Sequence, residues 1–211
     1  MSPTLSLRHV EIFKDGGRLL GPLDCDITAG RPVVLMGPSG SGKSSLLNWL
    51  IGALPAAFSA SGRILLDGAA IEQLPIQERR LGILFQDDLL FPHLSVAENL
   101  AFGLPAGLTR AERQARIEAG LAEAELPGLG HRDPLSLSGG ERARIALMRS
   151  LLSEPRALLL DEPFARLDVA LRSRFRSLIF ERAQARNLPV LLVSHDPADA
   201  AAAGGAVLQL D

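Results

Sequence analysis

The stretch that most constrains this chain is Gly37-Pro38-Ser39-Gly40-Ser41-Gly42-Lys43-Ser44, which follows the apolar run VVLM and leads into SSLLNWLI. An apolar strand, a glycine-rich turn and a helical pattern in that order make a unit suited to cradling phosphate. The glycines let backbone N–H groups turn inward, and the helix N-terminus adds positive partial charge. Lys43 brings a point charge to the β- and γ-phosphates, and the Ser44 hydroxyl can ligate Mg²⁺. We take the nucleotide-binding stretch to run from Gly37 to Ser45. The competing reading is a plain Gly/Ser turn, which would show this pattern by chance in roughly one chain in a hundred of this size, and fewer in this context. Lysine usage supports the phosphate reading. The chain has 20 arginines and only two lysines, Lys14 and Lys43, and one of the two stands here.

Around that loop the chain reads as α/β. LSLRHVEIF and LDCDIT alternate and RPVVLM is a short apolar run, so residues 4–36 are expected as strands, with turns at Gly16-Gly17 and Ala29-Gly30. A helix is expected from Ser44 to Ile51, then strands in GRILLDG and RLGILF. From about Asp88 to Ser153 the signals turn helical, as in Thr109–Leu126 and Glu141–Leu152. RALLLDE and LPVLLVSH read as buried strands flanking an arginine-rich helix from Val169 to Arg186; Ala198–Ala203 reads as helix and AVLQLD as a last strand. Buried strands alternating with helices predict a largely parallel sheet, here with a helical lobe inserted.

With 211 residues, 47% of them hydrophobic, the chain can build a full core, burying about 70% of its unfolded surface. The single cysteine, Cys25, excludes an intrachain disulfide and suits a reducing compartment. Twenty-two basic against 24 acidic residues argue against a cationic nucleic-acid module, so no nucleic-acid partner is expected. No apolar run approaches the ~20 residues of a membrane span, and the N-terminus lacks a signal-peptide pattern. The expectation is a soluble intracellular chain.

A second group of chemistry-bearing residues sits at strand ends. LLLDEP puts Asp161 and Glu162 at the carboxyl end of an apolar strand, where open α/β sheets bind ligands. Asp161 is placed to hold Mg²⁺, and Glu162 to orient or deprotonate an attacking water. The bland alternative is an acidic N-cap for the next helix. His195 ends another strand; a lone histidine there is more often structural, but beside the carboxylates it can reach a γ-phosphate. Gln86 ends RLGILFQ and can offer a neutral oxygen to Mg²⁺ and water.

LSLSGGERARIAL, Leu135 to Leu147, brings a family into view. Its core LSGGE, Leu137 to Glu141, resembles the signature of ABC transporter ATPases. GPSGSGKS, Gln86, LLLDEP, ARLD (Ala165 to Asp168) and SHD (Ser194 to Asp196) stand around it in that family's order, so the resemblance covers essentially the whole chain. It implies a P-loop NTPase fold of the ABC ATPase type, with a mostly parallel core sheet, an antiparallel β subdomain and an inserted helical subdomain. The chain would be one ABC ATPase domain, residues 1–86 and 154–211 forming the nucleotide-binding core and 87–153 the helical subdomain.

The resemblance also implies roles. ATP and Mg²⁺ would be bound by the loop, with Ser44, Gln86 and Asp161 on the metal and Glu162 and His195 catalytic. Ser138, Gly139, Gly140 and Glu141 would face the γ-phosphate held by a second subunit, a homodimer sandwiching two ATP molecules, with Asp168 near the shared site. Glu141 stands where glutamine is commonest, and Ala165 where serine is often found. The family stacks adenine on an aromatic near the end of the first strand. With no tyrosine in the chain, Phe13 is the candidate, one residue from Lys14.

Phe85 to Pro105 resembles importer ATPases for maltose, iron, sulfate, polyamines and thiamine, and the thiamine group is nearest once Trp49 to Gly62 is included. That resemblance implies a separate transmembrane permease, docked on a groove near Gln86 and Phe91–Leu94, an extracytoplasmic solute-binding protein, and a peripheral position on the cytoplasmic face of the membrane. The chain runs only briefly past its last core strand, so no C-terminal regulatory domain is expected. The alternatives are a soluble ABC ATPase of DNA repair or translation, a nucleotide-binding regulator with no permease, and another phosphate-loop class such as a small-molecule kinase or GTPase. The first lacks the second phosphate loop or heptad stretch it would need. Glu162 and His195 disfavour the second, and SGGE the third.

Overall fold

The computed structural model describes residues 2–210. The chain divides into two compact units, Met1–Ile83 with Arg156–Glu162 and Phe180–Asp211, and Leu84–Pro155 with Pro163–Ile179.

The first unit holds two sheets. Strands β1 (Thr4–Lys14), β2 (Gly17–Thr28), β4 (Phe58–Leu66) and β5 (Ala69–Ala70) form an antiparallel sheet in the order β2-β1-β4-β5. The β1–β2 hairpin turns on Asp15 and Gly16, both at positive φ (50° and 79°), one residue before the expected Gly16-Gly17. Two positive-φ residues give the turn twist that matches paired strands, which leaves Gly17 to begin β2. Leu5 and Leu7 are buried from odd positions and Val10 and Ile12 from even ones. A register irregularity between Leu7 and Val10, with His9 at φ 49°, resets the alternation so that both pairs face the core.

The second sheet joins β3 (Val33–Met36), β6 (Leu81–Leu84), β7 (Ala157–Asp161), β8 (Val190–Val193) and β9 (Ala206–Gln209) in the order β6-β7-β8-β3-β9. The pairs β7–β8, β8–β3 and β3–β9 are parallel. Val33–Leu35, Ala157–Leu160 and Val190–Val193 are buried along their length, as strands covered on both faces must be. Helix α1 (Lys43–Ile51) buries Leu46, Leu47, Leu50 and Ile51. Helix α6 (Pro197–Ala203) is capped by Asp196, whose carboxylate accepts from the Ala198 N–H.

Helices α2 (Val96–Gly103), α3 (Arg110–Glu123) and α4 (Gly139–Leu152) belong to the second unit, with the first part of α5 (Val169–Ala185). Each of α2, α3 and α4 begins with a complete capping box: Ser95/Glu98, Thr109/Glu112 and Ser138/Glu141. α4 thus starts at Gly139, ahead of the expected Glu141. A Cβ at Gly103 would lie 2.2 Å from the Arg149 carbonyl oxygen, so α2 meets α4 more closely than any larger residue allows. Pro163–Ile179 joins this unit beyond the expected 87–153, with Leu171 lying over Gly140 of α4, and within that segment Phe164 packs edge-on against Phe175 at 6.1 Å.

The architecture is the expected one, a largely parallel sheet and an antiparallel sheet with a helical unit.

Candidate nucleotide site

Strand register decides where the chemistry gathers. Asp161 on β7 is paired with Val193 on β8, and Val193 with Leu35 on β3. Three parallel strands therefore end in one row. The loop from Gly37, the acidic pair Asp161-Glu162 and the Ser194-His195 segment all leave the sheet at that edge, where α/β sheets bind ligands.

The loop is shaped by its glycines. Gly42 is the N-cap of α1 at φ 88°, with no side-chain cap, which leaves the first N–H groups of α1 without a capping side chain. A Cβ there would also meet Leu19 and Leu20 at 3.1 Å. Lys43 is buried, and its Nζ donates to the carbonyls of Gly37 (2.8 Å) and Pro38 (2.6 Å) and, at 3.4 Å, to Ser41 Oγ. The ammonium thus rests on the loop it belongs to.

Ser44 Oγ donates to Asp161 Oδ1 at 3.2 Å across 117 residues of sequence. Burial pushes the Asp161 carboxyl above its ordinary range, and the Glu162 charge adds to that; the Ser44 hydrogen bond and Lys43 pull the other way. Glu162 sits at φ 44°, a left-handed conformation uncommon outside glycine, held by its N–H on the Val193 carbonyl at 3.0 Å. Its Oε2 lies 3.0 Å from His195 Nδ1. The loop carrying His195 is anchored beneath: Ser194 Oγ donates to buried Asp199 at 2.6 Å and accepts from the Asp196 N–H at 3.0 Å.

A cleft of about 310 Å³ opens over this edge. Its lining joins Ser39, Gly40, Gly42, Lys43, Ser44, Ser45 and Glu162 to Lys14, Leu19 and Phe58. Phe13 does not line it. β1 side chains alternate, and at the strand's end the cleft side falls to Lys14, while Phe13 pairs in register with Arg18 and Ser59. Both lysines of the chain therefore line one cleft. The scarcity of lysine was the signal that could have singled out Lys14, and Phe58 carried none.

The remaining expected residues belong to the second unit. Gln86 is exposed just after β6. Ser138 caps α4: its Oγ and its N–H both donate to Glu141 Oε2 at 2.7 Å, and Ser138 Oγ accepts from the Glu141 N–H at 3.3 Å. Those bonds hold the Glu141 carboxyl below its ordinary range. Asp168 Oδ1 accepts from the Leu171 N–H at 3.0 Å at the start of α5.

Sequence reasoning did not single out a polar network in the same unit. Arg142 bridges the Asp88 carboxylate (3.3 Å) and the Leu137 carbonyl (2.6 Å), and Arg166 pairs with Asp87. Asn99, fully buried, takes the Phe91 N–H on its Oδ1 at 2.8 Å and donates to the Phe91, Leu94 and Ser95 carbonyls. That fixes the turn expected to carry a docking groove, where the Phe91 ring lies 4.6 Å from that of Phe102. Among the described residues no helix is long and apolar enough to cross a membrane.

The chain is similar to known proteins over most of its length. The profile of the family described as ABC transporter matches residues 20–165. The chain is 47% identical to the uncharacterized ABC transporter ATP-binding protein YnjD of Escherichia coli K12 over 195 residues, 92% of this chain and 90% of that one. It is 42% identical to the Fe(3+) ions import ATP-binding protein FbpC 1 of Rhizobium meliloti over 88% of this chain and 52% of the relative. Identity to the sulfate/thiosulfate import ATP-binding protein CysA of Gloeobacter violaceus is 43%, over 83% of this chain and 50% of the relative. The chain thus spans about half the length of these two import proteins. Phosphate loop, strand-end carboxylates and family profile converge, and the chain belongs to the ABC transporter family as one of its ATP-binding, ATP-hydrolysing subunits.

Proposed function

We propose that the chain binds ATP with Mg²⁺ in the Lys43 cleft, closes on a second copy of itself, and thereby drives a separate membrane permease that imports a small solute. The observation that carries this reading is the convergence of Lys43, the Ser44–Asp161 pair and the Glu162–His195 pair on one sheet edge. Two relatives bear the names of ferric-iron and sulfate/thiosulfate import proteins, which supports the import direction.

The Ser44 hydroxyl and Asp161 carboxylate are hard oxygen donors, the set Mg²⁺ takes alongside substrate phosphates. Once bound there, Mg²⁺ supplies charge neutralisation on the phosphate oxygens. Lys43 and the α1 N–H groups hold the phosphates in place. Glu162 takes up the proton of the attacking water, and its strained backbone aims the carboxylate. His195, held against Glu162, steadies that carboxylate and faces the transferred group. Ser138, Gly139, Gly140 and Glu141 serve the nucleotide of the partner copy, with Asp168 beside the shared site, so neither copy is complete alone. In this reading the chain is a single ABC ATPase domain with residues 87–153 as its helical subdomain. It works on the cytoplasmic face of the membrane, docked through the Phe91–Leu94 turn, and receives its cargo by way of an extracytoplasmic solute-binding protein.

The test is the order of the reaction. Mg²⁺-dependent ATP hydrolysis by the purified chain should rise with the square of protein concentration below the dimer dissociation constant. A strictly linear rate would remove the shared site, and no hydrolysis with or without reconstituted permease would remove the motor.

A further inference from the structure

We propose that Ser194 and Asp199 form a positioning pair for hydrolysis, in which a buried carboxylate fixes the turn that aims His195 and, through it, Glu162. The inference rests on the roles proposed above for Glu162 and His195, and it names what holds those two side chains in place.

Glu162 is gripped at two points, one on each side of a single residue. Its backbone N–H donates to the Val193 carbonyl at 3.0 Å, and its Oε2 lies 3.0 Å from His195 Nδ1. Val193 is fixed by the sheet: it ends β8, is fully buried, and pairs with Leu35 on one side and Asp161 on the other. His195 lies past the end of that strand, and its side chain is 67% exposed. The residue between them, Ser194, therefore decides where the imidazole stands relative to the strand.

Ser194 is buried and bonded in three directions. Its N–H donates to the Leu35 carbonyl at 3.2 Å, on the strand that leads into the phosphate loop. Its Oγ accepts from the Asp196 N–H at 3.0 Å, which closes a tight turn with His195 at the middle. The same Oγ donates to Asp199 at 2.6 Å. With its hydrogen committed to that carboxylate, the hydroxyl presents its lone pairs to Asp196, so Asp199 sets the turn and the turn sets His195.

The composition of α6 argues that this carboxylate does more than fasten a helix. Besides Pro197 and Asp199 the helix is all alanine, and Asp199 is the residue that it buries. A buried carboxylate is unfavourable unless its oxygens are hydrogen-bonded, and an apolar side chain would hold a short helix down at lower cost. What the carboxylate adds is direction, because apolar burial is non-directional and a hydrogen bond is not. Direction matters at this turn, since a misplacement of about 1 Å can cost about 10²-fold in rate.

The test is steady-state Mg²⁺-dependent ATP hydrolysis and ATP calorimetry on the full chain. Asp199→Ala should lower kcat by about 10- to 100-fold and leave KM and the ATP dissociation constant within about threefold, because the phosphate loop is untouched. Asp199→Asn, which keeps an acceptor for the Ser194 hydroxyl at nearly the same size, should hold kcat within about threefold of wild type. In a His195→Ala background the same Asp199→Ala change should alter kcat by less than about twofold, since residues that act as one unit are not additive. Should Asp199→Ala fail to fold, Ser194→Ala must show the same loss of kcat with ATP affinity kept.

The inference is overturned if Asp199→Ala turns over like wild type, if kcat and ATP affinity fall together, or if Asp199→Asn is as slow as Asp199→Ala. An equal loss in the wild-type and His195→Ala backgrounds would overturn it too, because Asp199 would then not act through His195. Failure of both Asp199→Ala and Ser194→Ala to fold would make the pair purely structural and would also overturn it. Wild-type turnover by Glu162→Gln and His195→Ala would bring down the underlying site reading, and this inference with it. Contrary results confined to Ser194 and Asp199 would leave that reading standing.

Discussion

The imidazole Nδ1 of His195 lies 3.0 Å from the Glu162 carboxylate, although the two residues end different strands. The contact ties the proposed base to a side chain whose backbone is anchored separately, through Ser194 and Asp199. Glu162→Gln keeps the size and much of this hydrogen bonding while removing the group that takes the proton. Turnover should fall by about 10²- to 10⁴-fold, the usual contribution of a general base. ATP affinity should survive, because Lys43, Ser44 and Asp161 are untouched. A ligand that persists only between two copies stabilises the dimer by mass action, so the variant should sediment as a dimer with ATP and as a monomer with ADP. Normal turnover would remove Glu162 from the base role.

Asp161 is half-buried, and burial raises its pKa above the ordinary 3.8. A carboxyl with a raised folded pKa contributes stability that is fully present below its unfolded pKa and lost as pH rises through the folded value. At neutral pH it is a standing cost to the ligand-free protein. Asp161→Asn should therefore melt higher than wild type without nucleotide, by a few degrees. The difference between the two should shrink as pH falls toward 4, while Mg²⁺-dependent ATP binding is weakened. Scanning calorimetry across pH checks the first half. A variant that melts lower at pH 7 would show the charge to be stabilising.

Arg79 is 6% exposed and donates to four backbone carbonyls. Two of them, Trp49 and Leu50, belong to the last turn of α1, so the guanidinium closes the carboxyl end of the phosphate-loop helix. Arg79→Met would leave several acceptors short of partners at about 1–3 kcal/mol for each that water cannot reach. We expect a loss of about 2–4 kcal/mol, seen as a melting temperature lower by roughly 5–15 °C. A change under 2 °C would mean that water replaces the guanidinium.

Phe102 is 69% exposed while its ring packs on Phe91 at 4.6 Å, and the Arg149 guanidinium lies over Phe91. If this aromatic pair receives the permease, Phe102→Asp should lower permease-stimulated hydrolysis relative to the unstimulated rate. An exposed position should change stability by no more than about 0.5 kcal/mol. Full stimulation of the variant in reconstituted vesicles would move the docking surface elsewhere.

Much of this protein is written in short-range pattern. Gly37–Ser44 specifies its own strand–loop–helix, because backbone freedom at glycine and the start of a helix are local properties. The capping boxes at Ser95, Thr109 and Ser138 set three helix starts in the same local way. The β-strand register could not be read so. A bulge near His9 changes which residues of β1 face inward, and at the strand's far end the cleft falls to Lys14 rather than Phe13. Phe58 reached the cleft through pairing with a strand more than 40 residues away in sequence, to which its own surroundings give no clue. Asp161 and Glu162 were legible as a strand-end pair, but parallel pairing put them beside Ser44 and His195. Sequence alone thus determined which residues can do the chemistry. Long-range strand pairing decided which of them meet, because side-chain facing repeats every two residues and a one-residue shift turns a contact into its opposite.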